Sequence, residues 1–190
     1  MSKVERFAAG EVRIGPAYES ERIAVRAELA SSAEQRRVAL GADLVLVFES
    51  RETVRLALEE SLRAERTSHH ERIAAEADAF SVLTGGGHDL AATLYVDVAD
   101  PVALAERLGE LSGVEDTVYL EVAGRRVAGR PHPADSGSGA FHLLFALDDG
   151  QRAALLGGAA VAAGADHQGC RTSITLSADQ GRAIGADLRG

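Results

Sequence analysis

Three clusters of charged side chains in this 190-residue chain contain the residue types that acid–base, metal or anion chemistry needs. The first cluster, Glu49 and Arg51, follows an apolar run. The second, Glu65 and Arg66, lies at the end of an amphipathic segment, and the third, which lies near the C-terminus, consists of Asp166, His167 and Arg171. Histidine titrates near neutrality, and a neighbouring carboxylate can fix which ring nitrogen carries the proton. The clusters predict one shared site if the fold brings them together.

The first interpretation of these clusters is acid–base or metal chemistry. The catalytic candidates are His167, Asp166 and Glu65. The candidate ligands of a divalent metal cofactor are Asp166, His167 and Glu49. Adjacent residues on a strand point to opposite faces, however, so Asp166 and His167 do not share a ligand through sequence proximity alone. Internal salt bridges explain the same acids without any chemistry.

The second interpretation is a charged pocket for an anionic small molecule or a protein partner. Its candidate binding residues are Glu49, Arg51, Arg66 and Arg171. Arginine suits such a site because its planar guanidinium binds carboxylates and phosphates through two parallel hydrogen bonds.

Cys170 is the single cysteine, so one chain cannot form an internal disulfide or a multi-cysteine metal centre. It follows His167 by three residues, and Arg171 beside it would favour a thiolate nucleophile or redox sensor. A small, packed strand residue is the favoured interpretation, since free cysteine is commonly buried.

Composition excludes several classes of partner. The formal net charge is −9, from 29 acidic against 20 basic residues, and the chain has three Tyr, five Phe and no Trp. A nucleic-acid surface needs a basic stripe and stacking aromatics, so we expect no nucleic-acid partner. No apolar run approaches the roughly 18 residues of a membrane span, and no targeting signal is evident. We therefore expect a cytoplasmic protein without a membrane anchor.

An apolar strand that runs directly into an amphipathic helix organises the chain. Residues 44–48 are five consecutive apolar residues, typical of a strand covered on both faces. Ser50 caps a helix over about residues 51–66. Its predicted buried stripe consists of Val54, Ala57, Leu58, Ser61 and Leu62. The charged Arg51 and Glu65 fall on the same stripe, which hydrophobic packing alone does not require.

The remaining elements alternate between helix and strand. Gly15-Pro16 and Asp100-Pro101 begin helices, Ser68 and Glu71 predict a capping box, and Gly124 predicts a hairpin turn. Residues 131–139 predict a mobile loop, and Gly85-Gly-Gly87 a connector without nucleotide-binding spacing. The pattern predicts a single α+β (or mixed α/β) domain over residues 1–190. We expect a mixed, mostly antiparallel sheet of about five to seven strands covered by helices.

Several stretches, in order along nearly the whole chain, resemble the bacterial domain-of-unknown-function 3501 family. They are residues 36–41, Phe48-Glu-Ser-Arg-Glu-Thr-Val54, Leu62-Arg-Ala-Glu-Arg66, residues 85–94, Gly113-Val-Glu-Asp-Thr-Val-Tyr-Leu120, and Asp166-His167 with Arg171. The chain departs from the family pattern at Ala57, Leu58, Ser61 and residues 168–170. The resemblance implies no reaction, cofactor or catalytic residue.

Three functions remain open at this point. The favoured one is a cytosolic binding or accessory protein with a small charged pocket for an anionic small molecule or a partner. The first alternative is a metal-dependent or acid–base enzyme that uses Asp166 and His167 with Glu49 and Glu65. The second is a structural module that assembles through apolar helix faces. The sequence decides neither the reaction nor the oligomeric state.

Overall fold

The computed structural model describes residues 6–8, 10–85, 89–132 and 139–189. The described residues form six α-helices, nine β-strands and three 3-10 helices. The α-helices are α1 (Gly15–Ala33), α2 (Arg51–Ala64), α3 (His70–Ser81), α4 (Pro101–Glu110), α5 (Asp149–Leu156) and α6 (Ala178–Ala186). The 3-10 helices are Glu34–Arg36, Val114–Thr117 and Asp187–Arg189. The strands are β1 (Arg37–Leu40), β2 (Leu44–Glu49), β3 (Asp89–Val96), β4 (Val118–Val122), β5 (Arg125–Ala128), β6 (Arg130–Pro131), β7 (Ala140–Ala146), β8 (Val161–His167) and β9 (Cys170–Thr175).

The strands form two antiparallel sheets, which confirms the α+β class. Sheet A has the order β1-β2-β3-β7-β6, and sheet B has the order β5-β4-β8-β9. One face of each sheet packs into a common apolar core that includes Leu46, Leu94, Leu120 and Ala163, all fully buried. The strands divide into two sheets because each can then bury one face against the other.

The strand order of sheet A explains which side chains share its outer face. β3 lies between β2 and β7, with Thr93 opposite Val47 on one side and His142 on the other. Leu94, which follows Thr93, points into the core. Since side chains alternate along a strand, Thr93 and His142 point away from that core.

Helices α1, α2 and α3 form a separate layer with its own apolar core. This core contains Phe7, Val12, Val54, Leu58, Leu62, Ile73 and Ala77. The predicted Ser50 cap of α2 is confirmed, since its hydroxyl accepts from the Thr53 backbone N–H. The predicted stripe was partly wrong: Ala57 is exposed, and Glu59 is buried instead. The buried face is rotated toward Glu59 because Arg13 covers that side of α2.

Helix α1 attaches to α2 through Tyr18 and Glu60. The Tyr18 hydroxyl donates to Glu60 Oε1 at 2.7 Å, and Arg22 donates to both Glu60 oxygens at 2.7 and 3.0 Å. The Arg22 hydrogen bond lowers the pKa of Glu60 to about 2. Burial, followed by the bond to Glu60, raises the pKa of Tyr18 to about 12. This contact therefore needs an ionised Glu60 and a protonated Tyr18.

An ion pair between Arg36 and Asp187 joins distant parts of the chain. Two hydrogen bonds of 2.6 and 2.9 Å link the guanidinium and the carboxylate, although the two residues are 151 positions apart in the sequence. Both side chains are mostly buried, with 12% and 19% exposure. The pair fastens the 3-10 helix before β1 to the 3-10 helix after α6.

Two predicted loops include residues that the structure does not describe. Residues 133–138 of the predicted mobile loop and residues 86–88 of the glycine connector lie outside the described residues. No helix in the described part of the chain is long and apolar enough to cross a membrane.

Glu60 and Tyr18 predict the pH range in which the α1–α2 contact contributes stability. The folded pKa of Glu60 is depressed, so its contribution is present above about pH 4.5 and is lost as pH falls toward about 2. The folded pKa of Tyr18 is raised, so its contribution is present below about pH 10 and is lost as pH rises through about 12. Urea unfolding between about pH 2 and 5 should show a shallower acid loss for Glu60→Gln than for wild type.

The control for this acid titration is Glu106→Gln, which changes an exposed glutamate on α4. Its stability profile should run parallel to that of the wild type. Identical acid profiles for Glu60→Gln and wild type would show that Glu60 does not stabilise the contact through its charge.

Candidate functional site

The structure separates the charged clusters that the sequence singled out. Arg51 begins the 14-residue helix α2 and Glu65 follows its last residue, so they lie about 21 Å apart along the helix axis. Glu49 ends β2 in sheet A, whereas Asp166 and His167 end β8 in sheet B. Side chains at opposite helix ends cannot contact one ligand of small size. The clusters therefore do not form the single shared site that the first interpretation requires.

Asp166 and His167 point to opposite faces of β8. Asp166 is exposed and accepts from Arg126 Nη1 at 2.6 Å. His167 is buried, and its Nδ1 accepts from the Gly169 backbone N–H at 3.1 Å. Since Nδ1 accepts, Nε2 carries the hydrogen and donates to the Ser112 carbonyl at 3.2 Å. Through these two hydrogen bonds, the imidazole connects the β8–β9 turn to the segment that follows α4.

Asp166 lies beside a stacked arginine and tyrosine on sheet B, in which Arg126 is exposed and Tyr119 is buried. Arg171 lies opposite Asp166 in the β8–β9 register. The Arg126 guanidinium stacks 3.9 Å from the centre of the Tyr119 ring. That ring lies across Gly164, where an added Cβ would come within 2.4 Å of the Tyr119 hydroxyl. The glycine is required for this close approach of a ring to the strand.

Arg51 and Glu65 have structural neighbours. Arg51 stacks over the Phe7 ring at 4.4 Å and pairs with Glu11 at 2.9 Å. Glu65 accepts from Arg72 at 3.0 Å. The described residues contain no group of three histidine, cysteine, aspartate or glutamate side chains that could hold a metal ion. The predicted metal ligands Asp166, His167 and Glu49 therefore form no such group.

Cys170 packs against the apolar core at the start of β9. Its Sγ lies 3.7 Å from the Leu40 carbonyl oxygen. Burial raises the pKa of the Cys170 thiol, which keeps it protonated at neutral pH. A protonated thiol is a poor nucleophile, so this geometry supports the interpretation of Cys170 as a packing residue.

A cavity of about 460 Å3 lies between the N-terminus of α1, the C-terminus of α2 and the segment that joins α2 to α3. We call it the helical pocket. Its apolar walls include Ile14, Pro16, Tyr18 and Leu62, and its polar lining includes Arg66 and Ser68. This volume lies within the range of about 300–1,000 Å3 that is typical of small-molecule sites. Of the sequence-predicted binding residues, Arg66 is the one that lines it.

Arg66 has an unusual backbone conformation at the end of α2. Its φ is +52°, and the Thr67 N–H donates back to the Leu62 carbonyl at 3.0 Å, as in a Schellman helix end. Glycine usually occupies this position, because the left-handed conformation costs another L-residue about 1–2 kcal/mol. No hydrogen bond or ion pair joins the Arg66 guanidinium to any residue that the structure describes.

Two helices begin at the wall of the helical pocket without a side-chain cap. α2, α4, α5 and α6 are capped by Ser50, Asp100, Asp148 and Ser177, but α1 and α3 have no such hydrogen bond. The predicted capping box of Ser68 and Glu71 is therefore wrong. α3 begins one residue later, at His70, so that His69 is the N-cap and Glu71 lies one position too early to close the box. Ser68 lines the pocket instead.

A buried salt bridge lies beside the pocket. Glu59 lines it, and the Glu59 side chain is fully buried. Arg13 donates to Glu59 from its backbone N, Nε and Nη2 at 2.9, 2.9 and 2.8 Å. The hydrogen bond to Glu59 raises the pKa of Arg13 further above its ordinary value. No local sequence pattern predicts this pair, because its partners are 46 positions apart.

Together these features define a class of α+β protein with a two-sheet antiparallel core and a three-helix layer that contains a small, mostly apolar pocket. The chain belongs to the family described as protein of unknown function (DUF3501), whose model matches residues 12–188. This confirms the resemblance seen in the sequence.

One crystal structure has the same fold. It is a novel protein of unknown function from Burkholderia pseudomallei K96243, with 26% sequence identity and a TM-score of 0.91. The match covers 97% of this chain and 100% of that one. Comparison with curated proteins gives no match.

The contacts of His167 predict a structural effect of its removal. His167→Ala leaves the Gly169 N–H and the Ser112 carbonyl without their partner, so the free energy of unfolding should fall by about 1–3 kcal/mol. Asp166→Asn is the matched control on the same strand. It disturbs only an exposed ion pair and should cost at most about 1 kcal/mol in urea unfolding. An unchanged stability of His167→Ala would contradict the structural role.

Proposed function

We propose that the protein binds a small anionic molecule with an apolar body in the helical pocket, with Arg66 contacting the anionic group. The observation that carries this proposal is the position of Arg66, a cation in a strained backbone conformation at the wall of a mostly apolar cavity, with no ion-pair partner among the described residues. Arginine in this left-handed conformation lowers the stability of the protein, whereas glycine would adopt it without that cost. Strained backbone of this kind concentrates at functional sites, which supports a role in binding.

The charges near the pocket favour an anion. Arg63 and Glu19 also line it, and Arg63 Nε donates to Glu19 Oε1 at 2.5 Å, so this pair neutralises itself and leaves Arg66 as the lining cation without a described partner. The uncapped N-terminus of the 19-residue helix α1 adds partial positive charge and free backbone donors. Glu59 opposes an anion only weakly, because Arg13 neutralises it.

The lining also restricts the ligand. Ile14, Pro16 and Leu62 offer no polar side-chain partner, so the body of the ligand must be a hydrocarbon or an aromatic ring. A carboxylate or a single phosphate matches the bidentate geometry of one guanidinium. The net charge of −9 disfavours a polyanion, since most of the surrounding surface repels it.

Asp166 and His167 point to opposite faces of β8, and Glu49 and Glu65 flank opposite ends of α2, so this arrangement gives no support to an enzyme built from those four residues. The exposed Ile23 on α1 is compatible with a protein partner, but nothing in the described chain selects one.

Replacing Arg66 with glycine should stabilise the protein and weaken the binding of anions. Arg66→Gly removes the strain of the positive φ, so the free energy of unfolding should rise by about 1 kcal/mol. Loss of a charge-assisted hydrogen bond of about 1.5–3 kcal/mol should weaken binding by about 10- to 150-fold. Isothermal calorimetry with octanoate as the probe, and octanol as its uncharged analogue, measures both the affinity and the need for charge.

Ala123→Gly is the matched control, because Ala123 is the other described non-glycine residue with positive φ, at +50°. It should stabilise the protein similarly and leave octanoate binding unchanged. Wild-type protein that binds octanoate no better than octanol, or Arg66→Gly that binds octanoate as well as wild type, would overturn the proposal.

A further inference from the structure

Helix α1 is a wall of the helical pocket that is weakly attached to the rest of the molecule. Tyr18 is the one buried residue among the 19 that the structure describes in α1, and Ile23 in its middle is 82% exposed. By contrast, the 14-residue helix α2 buries four residues. Helices in proteins owe most of their stability to the packing of an apolar face. Little such packing holds α1 in its folded form.

The sequence of α1 adds little helix stability of its own. No side-chain hydrogen bond from a described residue caps its N-terminus, and its first turn has no acid and its last turn no base to counter the helix dipole. The hydroxyls of Ser20, Ser31 and Ser32 each donate to the carbonyl three residues earlier, at 2.9, 2.6 and 3.0 Å. Serine bonds of this kind compete with the backbone bonds of a helix. We therefore expect α1 to open locally more readily than α2.

The buried contact between α1 and α2 is centred on Glu60. Glu60 Oε1 accepts hydrogen bonds from Tyr18 and Arg22, each at 2.7 Å, and Arg26 lies 3.5 Å from the same oxygen. The second connection, between Glu19 and Arg63, is exposed on both sides. Exposed ion pairs add little stability. The attachment of α1 to α2 thus depends largely on one carboxylate.

Both ends of the segment that contains α1 are fixed more firmly. Before the helix, Arg13 is bonded to the fully buried carboxylate of Glu59. After the helix, Arg36 is bonded to Asp187 by two hydrogen bonds, and both side chains are mostly buried. Residues 14–35 can therefore unfold and refold between two fixed points. Because these points stay in place, refolding closes no long loop.

The helical pocket lies at the part of α1 that faces α2. Gly15, Pro16, Tyr18 and Glu19 line one side of the cavity, and the end of α2 with the α2–α3 segment lines the other. Unfolding of α1 removes the first of these walls, so the cavity exists only while α1 is packed. A ligand that binds only the packed form shifts the equilibrium toward that form.

We propose that occupancy of the helical pocket controls the folding of α1, because the bound ligand supplies the apolar packing that this helix lacks. The body of the ligand lies between Pro16 and Tyr18 of α1 and Leu62 of α2. Arg66 holds the anionic group at the end of α2. This inference rests on the proposed function and adds regulation to it: the free protein opens α1 locally, and the ligand keeps α1 closed.

Hydrogen exchange of backbone amides, with octanoate as the probe, tests this coupling. In the free protein, amides of α1 should exchange faster than those of α2. Because only the closed form binds, protection of α1 should rise in proportion to 1 + [octanoate]/Kd, by about tenfold at ten times the Kd that calorimetry gives. Helix α4 is the internal control, since its ten described residues are all at least partly exposed and none of them lines the pocket. Its exchange should not change.

Ala27→Gly separates the folding of α1 from contact with the ligand. Ala27 is exposed in α1 and lies outside the lining of the pocket. Glycine is less favourable than alanine inside a helix, so exchange in α1 should become about fivefold faster without octanoate. Octanoate should slow this exchange by the same factor as in wild type. The matched control is Ala105→Gly, at an exposed position of α4, which should leave exchange in α1 unchanged.

The outcomes distinguish this inference from the proposed function. Octanoate that binds but leaves the exchange of α1 unchanged would overturn the inference and leave the proposed function intact. Equal slowing in α1 and α4 would also overturn it, because the ligand would then stabilise the whole protein. So would exchange in the free protein that is as slow in α1 as in α2. Absence of octanoate binding would refute the proposed function itself, and this inference with it.

Discussion

The helical layer depends on one constraint: the carboxylate of Glu59 is buried in the apolar face of α2 and must be paired. An unpaired charge at such a position would cost about 3–5 kcal/mol. Arg13 supplies three hydrogen bonds, including one from its own backbone, so the pair fixes the path of the main chain as well as a side chain. That path sets the start of α1 beside the end of α2. The helical pocket exists because these two helix ends are held next to each other.

Local patterns in the sequence were enough to predict several helix starts and the strand β2. Ser50 and Asp100 cap the helices that they were expected to cap, because a cap depends on residues only three positions apart. The apolar run before Glu49 is the buried strand β2, as its composition predicted. The failure at Ser68 is also local in origin, since a shift of one residue in the start of α3 breaks the spacing of the box.

The helical pocket and the polar contacts of Thr93 could not be located in this way, because both depend on long-range pairing. Thr93 looks like one polar residue in an alternating strand, and only its position between β2 and β7 gives it two titratable neighbours. Arg66 was singled out for its charge, but the cavity beside it needs Ile14 and Pro16 from another part of the chain. By contrast, Arg51, Asp166 and His167 are titratable side chains near element ends whose contacts with Glu11, Arg126 and Ser112 account for them structurally.

The Arg36–Asp187 ion pair has a consequence for the order of folding during synthesis. The core of the two sheets combines residues from β1 to the 3-10 helix that ends at Arg189, so its contacts are predominantly distant in sequence. Such topologies form slowly, because the entropy of closing long loops is lost before native contacts compensate for it. The helical layer can pack as soon as residues 6–83 have left the ribosome, since its core lies within them. The core shared by the two sheets cannot close until the last 3-10 helix follows, which leaves the core-facing side of the β1–β2 hairpin uncovered for chaperones to recognise.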